Sequence, residues 1–271
     1  MSITITMMLV VAACGGGQTV APRPGFDVSD TVPLGELPEP LSDQTSIPAP
    51  PTTPPGSAVP TTEPLPDVGD GPIADAVVGY RVLLIGDEVL AAAAPRNDGI
   101  MCDVLADFGW TVEIAAEPGR FIEFGDDVLD ERLQPVGDEQ WDAAAVMLGN
   151  HFDGDLDGYT RRLDALLDRL SPRPTIVYTL SEVTDDAVAI NAVIRGLPRS
   201  RPNVKIVEWD EVTVLDPDRV FDDGGPELSA NGAEVLVLHT VAALGKTPQA
   251  ESGGVGECLP SVFTDDTAIV L

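Results

Sequence analysis

Lysine and histidine are scarce in this 271-residue chain. Lysine occurs only at Lys205 and Lys246, and 15 Lys and Arg residues stand against 45 Asp and Glu, which gives a formal net charge of −30 at pH 7. So acidic a chain excludes nucleic acid and anionic lipid surfaces as expected partners. Because the acids are dispersed through every segment, we interpret them as a solvated, salt-tolerant exterior surface, with a dedicated cation-binding role as the alternative.

Missing motifs limit the expected cofactors. The sequence has no zinc-ligand spacing, no phosphate-binding loop and no dinucleotide glycine fingerprint, so we expect neither a cofactor nor a metal.

The two histidines are His151 and His239. His239 falls in the apolar pattern of the last predicted helix, which favours a structural role. His151 follows a predicted strand, where a site role and a plain loop role are both open. The sequence indicates no oligomeric state.

The N-terminus carries a targeting pattern. Residues 3–13 form an apolar stretch too short to span a membrane, and it ends in Ala12-Ala13-Cys14-Gly. This resembles a bacterial lipoprotein signal over residues 1–14, in which Cys14 is lipidated. The resemblance implies export and a lipid anchor on the outer face of the cell membrane. The start Met1-Ser2 lacks the Lys or Arg that such signals carry, which a start site placed too far downstream would explain. The alternative to a lipoprotein signal is a chance apolar N-terminus.

Residues 15–75 are rich in Pro, Thr, Ser and Gly and show neither a helical nor a strand period. This composition predicts a disordered tether, partly in polyproline II conformation. A proline-rich ligand for another protein is the alternative to a spacer.

Residues 76–245 alternate predicted strands and helices. Apolar periodicity at three and four residues predicts a helix from Leu156 to Leu170, and Ser229 is a plausible N-cap for the last helix. The pattern predicts a three-layer, doubly wound, mostly parallel sheet of five strands. Ligands of such sheets bind at the carboxyl ends of the strands. The predicted strands are Arg81–Ile85, Thr111–Ala115, Ala143–Leu148, Thr175–Leu180 and Val204–Trp209.

Four short motifs in this domain resemble the blocks of the SGNH (GDSL-like) hydrolases. Gly86-Asp87-Glu88 is similar to the first block, Gly-Asp-Ser, and Ala116-Glu-Pro-Gly119 to the second. Gly149-Asn150-His151 is similar to the third, Gly-x-Asn, where strict spacing selects His151 and a one-residue shift restores Asn150. The fourth, from Asp222 to Gly232, resembles Asp-x-x-His-Leu-Ser/Thr-x-x-Gly. The resemblance implies a flavodoxin-like SGNH fold, closest to SGNH domains of cell-envelope acyltransferases.

The resemblance places carboxylates where the catalytic groups belong. Glu88 replaces the nucleophilic Ser, and Glu227 stands at the His position, with Asp222 and Asp223 slightly too far upstream. Ester chemistry needs a hydroxyl activated by an imidazole, and neither is present at these positions. Gly119 and Asn150 are expected to retain the oxyanion donors. Like charges among Asp87, Glu88 and Glu227 favour one retained proton over a neutralising cation.

The sequence therefore predicts a non-catalytic domain that binds a cell-envelope glycan or a small acylated ligand. The alternatives are an active SGNH-type esterase or acyl-transferring enzyme with a rearranged site, built on His151 or on Asp222 and Asp223, and a pure scaffold lipoprotein. In an exported chain, Cys102 and Cys258 are expected to form a disulfide that ties the tail, residues 246–271, to the first helix. Two unrelated buried thiols are the alternative.

Overall fold

A six-stranded parallel sheet forms the centre of the domain. The computed structural model describes residues 66–133, 141–181, 184–221 and 228–265. The strand order is β5-β4-β3-β1-β2-β6, and every neighbouring pair is parallel. The predicted α/β, doubly wound fold is confirmed. The strands are β1 Arg81–Gly86, β2 Thr111–Ala116, β3 Ala143–Met147, β4 Thr175–Tyr178, β5 Val204–Val207 and β6 Glu257–Cys258.

Helices connect these strands and cover the sheet. Longer helices begin at side-chain caps: Asp155 accepts a hydrogen bond from the Gly158 N–H, and Ser229, the predicted cap, accepts one from the Gly232 N–H. None of the helices in the described part of the chain is long and apolar enough to cross a membrane. The helices are α1 Glu88–Ala92, α2 Met101–Asp107, α3 Phe124–Arg132, α4 Leu156–Leu170, α5 Asp185–Gly196, α6 Trp209–Leu215, α7 Pro217–Val220, α8 Ala230–Leu244 and α9 Pro248–Glu251.

Alternate residues of β1 point to opposite faces of the sheet, and each face has its own apolar core. Val82 and Leu84 pack with residues of α1, α2 and α8. Leu83 and Ile85 pack with residues of α3, α4 and α5. All four side chains have 0% exposure, as expected for a central parallel strand that is covered on both faces. Sheet and helices therefore make three layers.

The predicted strand count of five is wrong by one. The two-residue strand β6 pairs with β2 and extends the sheet on that side. Residues 246–265 are thus more than an appended tail, because they supply α9 and an edge strand. Cys102 and Cys258 are joined in a disulfide across 156 residues of sequence, and Cys102 lies in the second helix, α2, where the first was expected. His239, expected on an apolar face, is exposed.

Candidate functional site

Three loops meet at the carboxyl edge of the sheet. Strand β1 lies between β3 and β2, so the residues that follow these three strands are neighbours. Asp87 and Glu88 follow β1, Gly119 lies in the loop after β2, and Asn150 and His151 follow β3. The structure thus brings together five of the residues that the motifs selected.

Asp87 is the buried centre of this arrangement. Its side chain has 0% exposure and accepts hydrogen bonds from the backbone N–H groups of Val89 at 3.3 Å, Gly149 at 3.3 Å and Asn150 at 3.2 Å. The Asn150 side-chain amide nitrogen lies 2.9 and 3.0 Å from the two carboxylate oxygens. Gly149 has φ +140°, a conformation that favours glycine, so its N–H reaches Asp87 without backbone strain. Asp87 therefore fixes the β3 loop against β1.

Burial and charge determine the protonation of Asp87. Burial is the largest cause that raises the pKa of Asp87 to about 8, and the charge of Glu88 adds to it. Hydrogen bonds from Asn150 and Val89 lower the pKa but do not offset burial. The pKa of Tyr159 is raised too, by burial and by the charge of Asp87. We therefore place the retained proton expected for this acidic site on Asp87.

Glu88 lies in the position that the motif assigns to a nucleophile. Its side chain is 34% exposed, and its Oε2 lies 3.1 Å from His151 Nε2. The Gly119 N–H donates to the same oxygen, with an N to O distance of 3.4 Å. Gly119 has φ +71°, in the left-handed region, which suits glycine. A carboxylate thus occupies the space in front of the expected oxyanion donor.

The two candidates for the third-block residue have separate roles. Asn150 was expected to serve as an oxyanion donor, but its amide binds Asp87 instead. Strict spacing selected His151, and it is His151 that contacts Glu88 in the nucleophile position. The physical reason is that the buried Asp87 carboxylate needs polar donors, and Asn150 supplies two of them.

A second network, which the sequence did not predict, holds the β2 loop. Glu117 is 4% exposed, and Arg120 Nε donates to its Oε2 at 2.7 Å. The Asp265 N–H donates to Glu117 Oε1 at 2.9 Å, and the Phe263 ring packs edge-on against Phe124 with centroids 5.4 Å apart. The C-terminal segment therefore braces the loop that carries Gly119. An apolar Phe close to the C-terminus was the one sequence signal for this docking.

A cavity of about 540 Å³ opens beside Glu88. Its walls come from α1, the turn after it, the β2 loop and the start of α8. Asp98, Ile100 and Glu234 line it and were not predicted, because only the fold brings these segments together. The lining residues are Glu88, Val89, Ala91, Ala92, Asn97, Asp98, Gly99, Ile100, Pro118, Leu228, Ser229, Ala230, Ala233 and Glu234.

Several expected site residues lie outside the described residues. These are Cys14, Asp222, Asp223 and Glu227. Of the fourth motif the structure describes residues 228–232, and Leu228 forms an antiparallel bridge with Phe221. Within the described ranges, no group of three or more His, Cys, Asp or Glu residues could hold a metal ion.

Sheet order, helix layers and the meeting of the first three motifs at one edge agree with the resemblance seen in the sequence. The fold is SGNH-hydrolase-like. No family model matches this chain, and no curated protein sequence matches it either.

Solved structures to which this chain is similar include the following three. The Streptococcus pneumoniae peptidoglycan O-acetyltransferase A C-terminal catalytic domain, with a methylsulfonyl adduct, is 17% identical; the match covers 66% of this chain and 99% of that domain, with a TM-score of 0.49. A Clostridium thermocellum family 3 carbohydrate esterase is 15% identical. That match covers 60% of this chain and 93% of the esterase chain, with a TM-score of 0.48. A putative G-D-S-L family lipolytic protein from Desulfitobacterium hafniense is 13% identical. That match covers 60% of this chain and 98% of the other, with a TM-score of 0.46.

Proposed function

We propose that this SGNH-like domain is a non-catalytic binding module, exported and tethered through Cys14 to the outer face of the cell membrane. Its ligand is a cell-envelope glycan or a small acylated molecule, bound in the cavity beside Glu88. The observation that carries the proposal is the Glu88 carboxylate, which accepts the Gly119 N–H and pairs with His151.

Glu88 conflicts with acyl transfer in two ways. A carboxylate in this position has no hydroxyl for an imidazole to deprotonate, so the first covalent step has no nucleophile of the serine type. It also satisfies the Gly119 N–H, which an esterase would keep for the developing oxyanion. A substrate carbonyl oxygen in this place would meet a negative charge instead of a donor.

The hydroxyls near the cavity do not replace the missing nucleophile. Ser229 Oγ donates to the Arg219 carbonyl oxygen at 2.6 Å and accepts the Gly232 N–H, so it serves as the cap of α8. Within the described residues, the polar partner of the His151 side chain is Glu88, and the Phe121 ring packs against the imidazole with centroids 6.0 Å apart. No Ser, Thr or Cys side chain in this part of the chain lies at hydrogen-bonding distance from His151. His151 therefore has no hydroxyl to activate.

Ester hydrolysis tests the non-catalytic proposal. We expect the purified wild-type protein to hydrolyse 4-nitrophenyl acetate no faster than a heat-denatured sample. Glu88→Ser should remain inactive as well, because a serine without a positioned base stays unactivated. Initial rates from pH 6 to pH 9 measure both.

Two further variants separate the alternatives. The double variant Glu88→Ser with Glu227→His restores both residues that the family pattern requires, so any gain of activity should appear there first. Turnover by the wild-type protein that His151→Ala abolishes would contradict the proposal and establish an enzyme with a rearranged site.

Lipid tethering gives a separate prediction. If Cys14 carries the anchor, the wild-type protein should sediment with membranes in a bacterial host, and Cys14→Ala should move to the soluble or precursor fraction. Cys258→Ser is the matched control, since it removes a different cysteine and should keep the membrane distribution. Equal distribution of Cys14→Ala and wild type would contradict lipidation.

A further inference from the structure

We propose that the cavity beside Glu88 binds a primary ammonium group carried on an aliphatic stem, as in a lysine-type side chain. This inference rests on the proposed binding function and names the chemical class of its ligand. It follows from the volume of the cavity, its apolar walls and the sign of the charges at its rim.

The walls of the cavity suit an aliphatic stem. They consist largely of small apolar side chains, among them Val89, Ala92 and Ala233, and they include Ile100, which is 42% exposed. No aromatic residue lines the cavity within the described part of the chain. An aromatic surface is the usual platform for a quaternary ammonium, so a primary amine on a flexible methylene stem fits these walls better.

The charged residues that line the cavity in the described part of the chain are all acidic. Glu88, Asp98 and Glu234 line the cavity, and no Lys, Arg or His does so among the described residues. Glu88 already has partners, but the side chains of Asp98 and Glu234 are exposed and make no hydrogen bond or ion pair within the described ranges. The Asp98 and Glu234 carboxylates could therefore bind an ammonium group without losing a hydrogen bond within the described protein. The aliphatic stem of the ligand would then contact the apolar walls.

The volume is adequate for such a ligand. At about 540 Å³, the cavity lies in the range of small-molecule sites, roughly 300–1,000 Å³, and exceeds one lysine side chain. A further part of the ligand, such as a peptide or glycan backbone, would have to leave through the open side. The cavity thus recognises an amine-bearing substituent of a larger envelope molecule.

A matched pair of probes tests the inference on the full chain. Nα-acetyl-lysine methylamide has the free ammonium, whereas Nα,Nε-diacetyl-lysine methylamide has the same stem without the charge. We expect the charged probe to shift the backbone amide resonances of Ala92, Gly99 and Ala230 and to bind at least about tenfold more tightly than the diacetyl probe. Raising the salt concentration should weaken this preference.

Variants at the rim locate the effect. Asp98→Asn and Glu234→Gln should each weaken binding of the charged probe about twofold to fivefold, as expected for exposed ion pairs. Asp157→Asn and Asp186→Asn remove the same charge from exposed sites on α4 and α5, on the other face of the sheet, and should leave binding unchanged.

Equal affinity for the two probes would overturn the ammonium inference but leave a ligand-binding cavity. Equal weakening by the rim and the remote variants would also overturn it, because the net charge of the protein would then explain the attraction. Absence of any shift overturns it as well. None of these results alters the ester hydrolysis result, which tests the non-catalytic proposal separately.

Discussion

Reducing the Cys102–Cys258 disulfide is expected to lower the free energy of unfolding by about 2–5 kcal/mol. The bond closes a loop with a sequence separation of 156 residues, and in the chain-entropy account long loops gain the most from closure. For a domain of this size, about 3 kcal/mol corresponds to a fall in Tm of roughly 10 °C. Cys258 is exposed, so a phosphine reductant can reach the bond.

Urea denaturation with and without reductant measures this loss, using a Cys14→Ala background to remove the third thiol. Cys258→Ser is the matched control, since it should already have the reduced stability and should not respond to reductant. A wild-type midpoint that reductant leaves unchanged, or two free thiols in the non-reduced protein, would contradict the disulfide.

The second large effect is a loss of stability as pH rises. An unfolded Asp loses its proton near pH 3.8, whereas burial raises the pKa of Asp87 in the folded protein to about 8. Between these values the folded state holds a proton that the unfolded state lacks, so stability falls with rising pH. The slope is at most about 1.4 kcal/mol per pH unit, and the total loss by pH 9 is at most on the order of 6 kcal/mol.

Denaturation midpoints from pH 5 to pH 9 measure this slope. Asp87→Asn removes the titrating group, so this fall in stability with rising pH should disappear whatever the variant does to absolute stability. Glu88→Gln removes a charge that raises the pKa of Asp87, so the loss should end at a lower pH and be smaller. Asp157→Asn is the control and should keep the wild-type slope. A flat wild-type profile would show that Asp87 stays ionised.

The central strands could be predicted because buried parallel strands are short apolar runs bounded by turns. Each of the five predicted strands forms, with ends that differ by one or two residues. Strand β6 could not be predicted, since two residues have no period. Long-range contacts determine its place instead: the disulfide and the backbone bonds of Glu257 and Leu259 to the β2 region.

The sequence predicted which residues meet at the candidate site, but not which of them contact each other. Motif spacing selected Asp87, Glu88, Gly119, Asn150 and His151, and all five lie at one edge. It could not decide that Asn150 binds Asp87 while His151 contacts Glu88, because that depends on the backbone of the Gly149 turn. Asp98 and Glu234 were missed because neither belongs to a motif, and only the fold brings their segments together at one cavity.

Covalent labelling tests most directly whether this site lacks a nucleophile. The full chain would be incubated with an excess of a fluorophosphonate, and its intact mass would be recorded next to that of an active serine esterase treated in the same way. We expect full labelling of the esterase and an unchanged mass for this protein, because Glu88 stands where the reactive hydroxyl would be. A stoichiometric adduct on this protein, lost in His151→Ala, would contradict it.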